Sequence, residues 1–593
     1  MKLKQKILTL VLSLCMVAAC LPVVASAETA PQGLWTDYAA AAFAGGTGTK
    51  ADPYQIATAE QLALLAKDVN SGVDGETHEK EYFILKNDID LSAHVWTPIG
   101  YESWASGGGS AQSFKGYFDG NGKKITGLYV DEREGDGTYV NRNSGLFGVI
   151  AAVGSEDPVI QNLTVENGTV LTGNGDLNYD SDKMYGAGLL IGRINPMHGT
   201  DYSVIKNCTV SGTVYSTRNA GGLVGNSSRT HFENCSADVK VSGNQRTGGF
   251  VGNTFMSEFT DCVAKGNVSS EGWCTGGFAG ILFYETTVKH CAAFGNVEAG
   301  DWRIGGFAGF AQTNVTIANS IATGDVKSNV SNWDPKAGGF LGEAFYDEGN
   351  NNSEFVKLEK CHAAGKVTTA KTDGSIGGLL GSDESKNISV VGCSFDNVKN
   401  ASLAGVGSNP TGTYGITARN TAAVASGICE DYYGGHDLVD KDGKKATCTE
   451  DGYEAGKECS RCGYKEGFAV IEAAGHTGGT ATCTKKAECE VCHQQYGDLA
   501  LNNHEGLAHV DAKAATTQAE GNIEYWYCKD CGKYFANADL TEEITKADTV
   551  LPKKQEQGGG QTKTGDSGFA LWGVLLLVSG SAVVVCAKKK KAQ

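Results

Sequence analysis

Three cysteine pairs at Cys-x-x-Cys spacing stand in the last third of the sequence: Cys459 with Cys462, Cys489 with Cys492, and Cys528 with Cys531. Two thiolates at this spacing close a tight turn around one soft ion. A third thiolate and an imidazole complete the tetrahedron that zinc prefers. Grouped unit by unit, the first set is His436, Cys448, Cys459 and Cys462, and the second is His476, Cys483, Cys489 and Cys492. A third unit offers His509, Cys528 and Cys531, but Thr517 stands where the other units place a lone cysteine, so this set is expected to be incomplete. The same sulfurs also suit disulfides in an exported chain. That pairing leaves one thiol over in each of the first two units unless the units bridge each other. Structural zinc, disulfides and free thiols are therefore competing states of one residue set.

Other catalytic patterns are weaker. A zinc peptidase needs His-Glu-x-x-His, and the nearest match, His504 to His509, separates its histidines by five positions. On a helix they would point about 140° apart and could not share an ion. His78-Glu79 lacks a second histidine, and no Gly-x-Ser-x-Gly nucleophile elbow occurs. Asp90, Asp119, Asp261 and Asp325 are scattered carboxylates with no repeated spacing that would set a two-carboxylate site, and read as turn and edge residues. Trp273, Trp302 and Trp333 occupy related positions in successive repeats, as a sugar-stacking or protein-binding stripe or as packing. The chain is accordingly expected to bind and not to catalyse, with no catalytic or cofactor-binding residues assigned. An anchored carbohydrate-active enzyme, a polysaccharide lyase or hydrolase, is the alternative.

The elements that must position these residues are written in a repeat. "GGLVGN" from Gly221, "GGFVGN" from Gly248, "GGFAGI" from Gly276, "GGFAGF" from Gly305, "GGFLGE" from Gly338 and "GGLLGS" from Gly377 follow at intervals of 27, 28, 29, 33 and 39 residues. Between them recur segments such as "IKNCTVSGTV" from Ile205 and "FENCSADVKV" from Phe232. Both elements are too short for helices and rich in glycine turns, so they read as strands. A period of this length with two or three strands is the pattern of a right-handed parallel β-helix, a solenoid whose coils stack about 4.8 Å apart. Stacking places Cys208, Cys235, Cys262, Cys291, Ser320, Cys361 and Cys393 in one ladder, as small buried side chains or, after oxidation, as bridges between coils. Thr58 and Gln61 form a capping box for a helix from Ala59 that would cover the first coil.

These repeats resemble the GLUG motif, named for its Gly-Leu-x-Gly core, which occurs in bacterial surface adhesins and in some IgA-cleaving metallopeptidases. The resemblance covers about residues 46–400 and implies an adhesin-like solenoid. The Cys-x-x-Cys units, typified by "GHTGGTATCTKKAECEVC" from Gly475, resemble a repeat of exported Gram-positive surface proteins.

Both ends carry export signals. Lys2, Lys4 and Lys6, the apolar run Ile7 to Val24 and Ala25-Ser26-Ala27 form a signal peptide cleaved after Ala27, with a rival lipobox at Cys20. Residues 568–587 are 20 uncharged residues followed by Lys588 to Lys591. As a helix they would span about 30 Å, enough for a bilayer, with the lysines inside the cell. "KTGDSG" from Lys563 resembles the "PKTGD" sortase signal, with Thr562 in place of proline. That likeness implies cleavage after Thr564 and attachment to peptidoglycan, and retention in the membrane is the competing outcome. The expected order is 1–27 signal, 28–45 linker, 46–400 solenoid with its helical cap, 401–434 connector and 435–550 Cys-rich units. Then follow a 551–567 flexible spacer, the 568–587 membrane segment and the 588–593 basic tail. With 81 Gly, 9 Pro and 41% hydrophobic residues the body is neither collagen-like nor disordered. A formal charge of −18 argues against nucleic acid as a partner. A glycan or protein ligand is expected instead.

Overall fold

The computed structural model describes residues 30–555, except 72–77, 104–109, 133–142, 153–158, 174–184, 197–201, 301, 332–333, 346–355, 372, 386–387, 409 and 411–413. Ala27, Cys20, Trp333, Thr564 and the 568–587 span lie outside the described residues. Among the described residues, no helix is long and apolar enough to cross a membrane. The chain forms two compact units. One holds the residues up to Asp442 together with Ala455–Phe468, and the other holds Gly443–Glu454 and the residues from Ala469 on.

The first unit is mainly β. One coil shows its plan, with strands Ser203–Lys206, Thr209–Ser216, Asn219–Gly221 and Val224–Ser228 in sequence. Each strand pairs in parallel with its equivalent in the next coil, giving continuous sheets of 26, 7 and 9 strands. The register follows the repeat. Gly221, Gly248, Gly276, Gly305, Gly338 and Gly377 are successive partners, as are Ile205, Phe232, Phe259, Val288, Ile317 and Leu358.

The Gly-Gly-apolar-x-Gly core has a packing cause. Its apolar residue points inward, so Phe250, Phe278, Phe307 and Phe340 form a stack with ring centroids 4.9, 4.8 and 4.8 Å apart and planes within 8°. The ring spacing equals the strand spacing, so every coil adds one ring to the same column. The preceding glycine lies against the next coil, where a Cβ on Gly249 would stand 2.1 Å from the Gly277 carbonyl oxygen. No side chain fits there.

A second column marks a corner. Asn207, Asn234, Asp261, His290, Asn319 and Lys360 all take positive φ, between 47° and 55°, immediately before the ladder residues Cys208, Cys235, Cys262, Cys291, Ser320 and Cys361. Asparagine tolerates this left-handed turn better than most residues, and here its amide is also used. Asn234 donates to Asn207 at 2.9 Å, Asn207 to Asn162 at 3.0 Å, and Asn162 to Asp119 at 3.1 Å. The ladder cysteines are buried free thiols. Cys235 and Cys262 each donate to the carbonyl two residues earlier at 3.3 Å, and Ser320 makes the same bond at 2.8 Å. A hydroxyl can therefore replace a thiol on this rung.

Helix α1, Ala59–Ser71, starts at a reciprocal cap: the Gln61 N–H donates to Thr58 Oγ1, and the Ala57 N–H donates to Gln61 Oε1 at 2.8 Å. It buries Leu62, Leu65 and Val69 in the solenoid core. Two boundaries differ from expectation. Residues 30–45 are no free linker, because Trp35 is buried, bonds through Nε1 to the Leu91 carbonyl, and Leu34 bridges Val95. The coils also continue past residue 400. Strands Val406–Ser408 and Tyr414–Arg419 extend two sheets, although this stretch lacks the Gly-Gly core that marked the earlier repeats.

Helix α2, Thr421–Asp431, follows, capped by Asn420 through the Ala423 N–H at 2.9 Å. It lies on the outside of the coils. Val424, Ile428 and Tyr432 pack on Ala292 and Ile321. Buried His362 bonds Asp431 Oδ2 at 3.0 Å and Ser394 Oγ at 2.8 Å, Lys360 pairs with Asp431 at 3.6 Å, and His290 meets the Tyr432 carbonyl.

Candidate metal centres

The Cys-x-x-Cys pairs sit in near-identical knuckles. In the first, the Gly463 N–H donates to the Cys459 carbonyl at 3.0 Å. In the second, His493 donates to Cys489 at 2.9 Å, and in the third Gly532 donates to Cys528 at 2.9 Å. The residue after each pair takes positive φ, 71° at Gly463, 57° at His493 and 76° at Gly532. This turns the chain sharply and aims amide groups at the first sulfur.

Each knuckle is completed by one histidine and one cysteine, and the grouping departs from the unit-by-unit reading. The sets are Cys429, His436, Cys459 and Cys462; then Cys448, His476, Cys489 and Cys492; then Cys483, His504, Cys528 and Cys531. Each set thus takes its lone cysteine from one segment earlier than expected. Cys448 does not join His436, Cys459 and Cys462; Cys429 of α2 does. Cys483 does not join His476, Cys489 and Cys492; it serves the third knuckle. The third set is complete, so Thr517 leaves no gap. His509 is not a member: it pairs with Glu524 at 2.9 Å and stacks on Trp526. His509, Asp511 and Glu524 form a separate, exposed group.

The distances within each set bear on both alternatives. Cys429 and Cys459 sulfurs are 3.9 Å apart, Cys448 and Cys489 3.7 Å, and Cys483 and Cys528 3.7 Å. The sulfur to Nδ1 distances are 3.3 Å for Cys462 with His436, 3.3 Å for Cys492 with His476, and 3.4 Å for Cys531 with His504. A disulfide requires about 2.05 Å. A tetrahedron with Zn–S near 2.3 Å and Zn–N near 2.05 Å has edges of about 3.8 and 3.5 Å. In each set these two distances lie within about 0.2 Å of the tetrahedral edges, and all four donor atoms lie within 4.8 Å of one another, so the donor sets fit a tetrahedral ion.

Electrostatics point the same way. Burial opposes ionisation of Cys459, but the N–H groups of Cys462 and Arg461 and the His436 ring outweigh it and hold the thiol down to about 6. The Cys492 N–H leads in holding Cys489 down to about 5. The lone cysteine behaves oppositely: burial, then the neighbouring thiols of Cys462 and Cys459, push Cys429 up to about 12. A cation would reverse that, since thiolate ligation releases the proton. The histidine rings are held by aromatic neighbours, His436 on Tyr464 at 4.3 Å, His476 on Tyr496 at 5.2 Å and His504 on Phe535 at 5.0 Å.

The carboxylates considered from the sequence are dispersed. Asp90 accepts the Ser92 N–H at 2.9 Å, Asp119 heads the asparagine column, Asp261 pairs with His290, and Asp325 accepts the Lys366 N–H at 2.8 Å. Trp302 faces Arg303, 4.2 Å from the ring centre, and Trp273 faces Arg246 at 5.2 Å. Arg303 and Lys336 both pair with the fully buried carboxylate of Glu343. An alignment of the units on their most similar strings passes over Cys429 and His504. The cue was available: lone cysteines at 429, 448 and 483 precede three pairs, and shifting each by one unit completes every set.

No family model matches the chain. A stretch of 168 residues, 28% of this chain, is 35% identical to a protein of Evansella cellulosilytica provisionally named a Gly-rich membrane protein, and covers 15% of it. A stretch of 190 residues, 31% of this chain, is 29% identical to halomucin of Haloquadratum walsbyi and covers 2% of it. The chain therefore spans a small fraction of the length of these relatives. Among solved structures, one provisionally named an immunoglobulin A1 protease from Bacteroides ovatus overlaps 55% of this chain and 87% of its own, at 19% identity and a TM-score of 0.37.

Proposed function

We propose that this chain is a cell-surface anchored, adhesin-like binding or structural protein that displays its solenoid outside the cell, with the Cys-rich segment as a stalk held by structural zinc. The observation that carries the reading is the coil stack. Its register is held by side chains in successive coils: a phenylalanine column inside from Phe250 to Phe340, an amide column at the corner from Asn162 to Asn234, and thiols bonded to carbonyls beside it. A stack of this kind is a rigid scaffold that contacts mainly its own neighbours and presents long lateral surfaces. The similarity to a Gly-rich membrane protein supports an envelope location, as do the apolar and basic runs at the two ends of the sequence.

In this reading the stalk is tethered through Thr564 to peptidoglycan by a sortase, or through 568–587 to the membrane. The ligand is a glycan or a protein, bound without turnover. Each zinc ion, held by three thiolates and one imidazole, has all four positions taken by protein and so serves structure. The test pairs a glycan array with a reducing-sugar assay on the 28–555 ectodomain. Binding without turnover supports the proposal. Release of reducing ends from any bound glycan would overturn it in favour of a carbohydrate-active enzyme.

A further inference from the structure

We propose that the ion held by Cys429, His436, Cys459 and Cys462 is a clamp that fastens the first Cys-rich hairpin to helix α2 on the solenoid flank. We propose also that the other two ions each recruit their lone cysteine from an earlier segment in the same way. This rests on the zinc reading above and goes beyond it by assigning which segments each ion joins.

The anchored side of the clamp is α2. It is held on the coils by Val424 and Ile428, by the buried His362 to Asp431 contact, and by His290 at the Tyr432 carbonyl. Gly427 permits the close approach, since a Cβ there would come within 2.9 Å of the Arg419 guanidinium and 3.4 Å of the His362 ring. Cys429 lies one residue past Ile428 and is 1% exposed.

The other side cannot hold itself. The hairpin consists of short strands at Leu438–Lys441, Gly456–Cys459 and Lys465–Glu466, paired antiparallel. Among the described residues 435–442 and 455–468, Cys459 is the buried one; all others are half-buried or exposed. A segment without an apolar core needs a disulfide or a metal to fold. The ligands supply the join, Cys429 from α2 and the other three from the hairpin. The outer partners repeat it. The remote nitrogen of His436 faces Ser426 Oγ at 3.5 Å and Glu430 at 3.7 Å, both on α2. Partners of this kind orient a ligating imidazole, so α2 contributes one ligand and aims a second.

The same logic repeats along the chain. Cys448 falls between His436 and Cys459 in sequence but belongs with His476, and Cys483 falls between His476 and Cys489 but belongs with His504. The loops closed by successive ions therefore overlap in sequence, and removing one ion frees two segments.

Zinc stoichiometry in the 28–555 ectodomain tests the assignment, measured after dialysis against a competing chelator. The wild type is expected to hold three ions. Cys448→Ser with Cys489→Ser should lose one, because both residues serve one site, and Cys448→Ser with Cys459→Ser should lose two. Pairing within sequence units predicts the reverse, and that result would overturn the proposal while leaving zinc intact. A wild type without zinc would sink the zinc reading itself. For the clamp, limited proteolysis of Cys429→Ser should cut residues 433–468 at least tenfold faster, with hydrogen exchange in the coils unchanged. Cys459→Ser, across the same ion, should match it. Cleavage at the wild-type rate in both variants would refute the clamp.

Discussion

Replacing Phe278 by alanine probes the coil stack at its centre. The ring is fully buried, parallel to Phe250 at 4.9 Å and Phe307 at 4.8 Å, and edge-on to Phe259 at 5.5 Å. Phe→Ala in a core costs about 3–5 kcal/mol, more when the surroundings cannot close on the cavity. Here they cannot, because the Phe250 N–H bonds the Phe278 carbonyl at 2.8 Å and the Phe278 N–H bonds the Phe307 carbonyl at 2.8 Å, holding the rings above and below at the strand spacing. A cost of about 4 kcal/mol follows, which is roughly a thousandfold in local opening. Since each coil contacts mainly its neighbours, the loss should stay local. Native-state hydrogen exchange read by mass spectrometry should show amides of 247–283 exchanging about a thousandfold faster, with smaller changes in the two adjacent coils and none at Tyr54–Ile56 or Tyr82–Leu85. Phe278→Leu should cost only about 1 kcal/mol, because leucine already occupies this rung at Leu223 and Leu379. Acceleration under tenfold for Phe278→Ala, or equal acceleration through every coil, would refute the stacking account.

Two further predictions concern the flank and the corner. Cys291→Ser should shift stability by less than about 1 kcal/mol, since Ser320 already fills the equivalent rung one coil on; reductant should leave the thermal transition of the coils unmoved, and a fall in either measurement would point to a bridge between rungs. Burial holds His362 below its ordinary value of 6.5 against the opposing pull of Asp431, so as pH falls through 6.5 the released state takes up a proton that the docked state does not. Docking of α2 should therefore weaken below pH 6.5, seen as faster amide exchange in Thr421–Asp431 at pH 5 than at pH 7 after correction for intrinsic rates, and His362→Asn should flatten that dependence.

Much of the solenoid was legible because a stacked coil repeats its constraints. Gly249 excludes a side chain for the same reason as Gly277 and Gly306, namely a carbonyl of the next coil 2.1 Å from any Cβ. Gly222 and Gly339 meet a next-coil carbonyl in the same way, while Gly378 in the last copy faces the Phe395 ring, so one local requirement recurs as one string and the register follows from aligning the copies. The α1 cap was legible for a related reason: Thr58 and Gln61 bond within one turn. The last coil was not, since the Val406–Ser408 and Tyr414–Arg419 strands carry no Gly-Gly core, and the side-chain contacts that join them to the coil before, such as Ser408 Oγ to Ser382 Oγ at 3.1 Å, follow no repeated string.

The sequence by itself determined the residue types of the metal sites and the turn at each knuckle, because a Cys-x-x-Cys pair and the residue after it are neighbours along the chain. Only the tertiary structure decided which lone cysteine completes each tetrahedron. Cys429 lies 30 residues from Cys459, and Cys448 lies 41 from Cys489. At such separations any cysteine in the region satisfies the composition of a site, and the choice falls to the packing that brings one sulfur within 4 Å. For the first set that packing is α2 against the coils, a contact made by Val424, Ile428 and His362, which no local pattern announces.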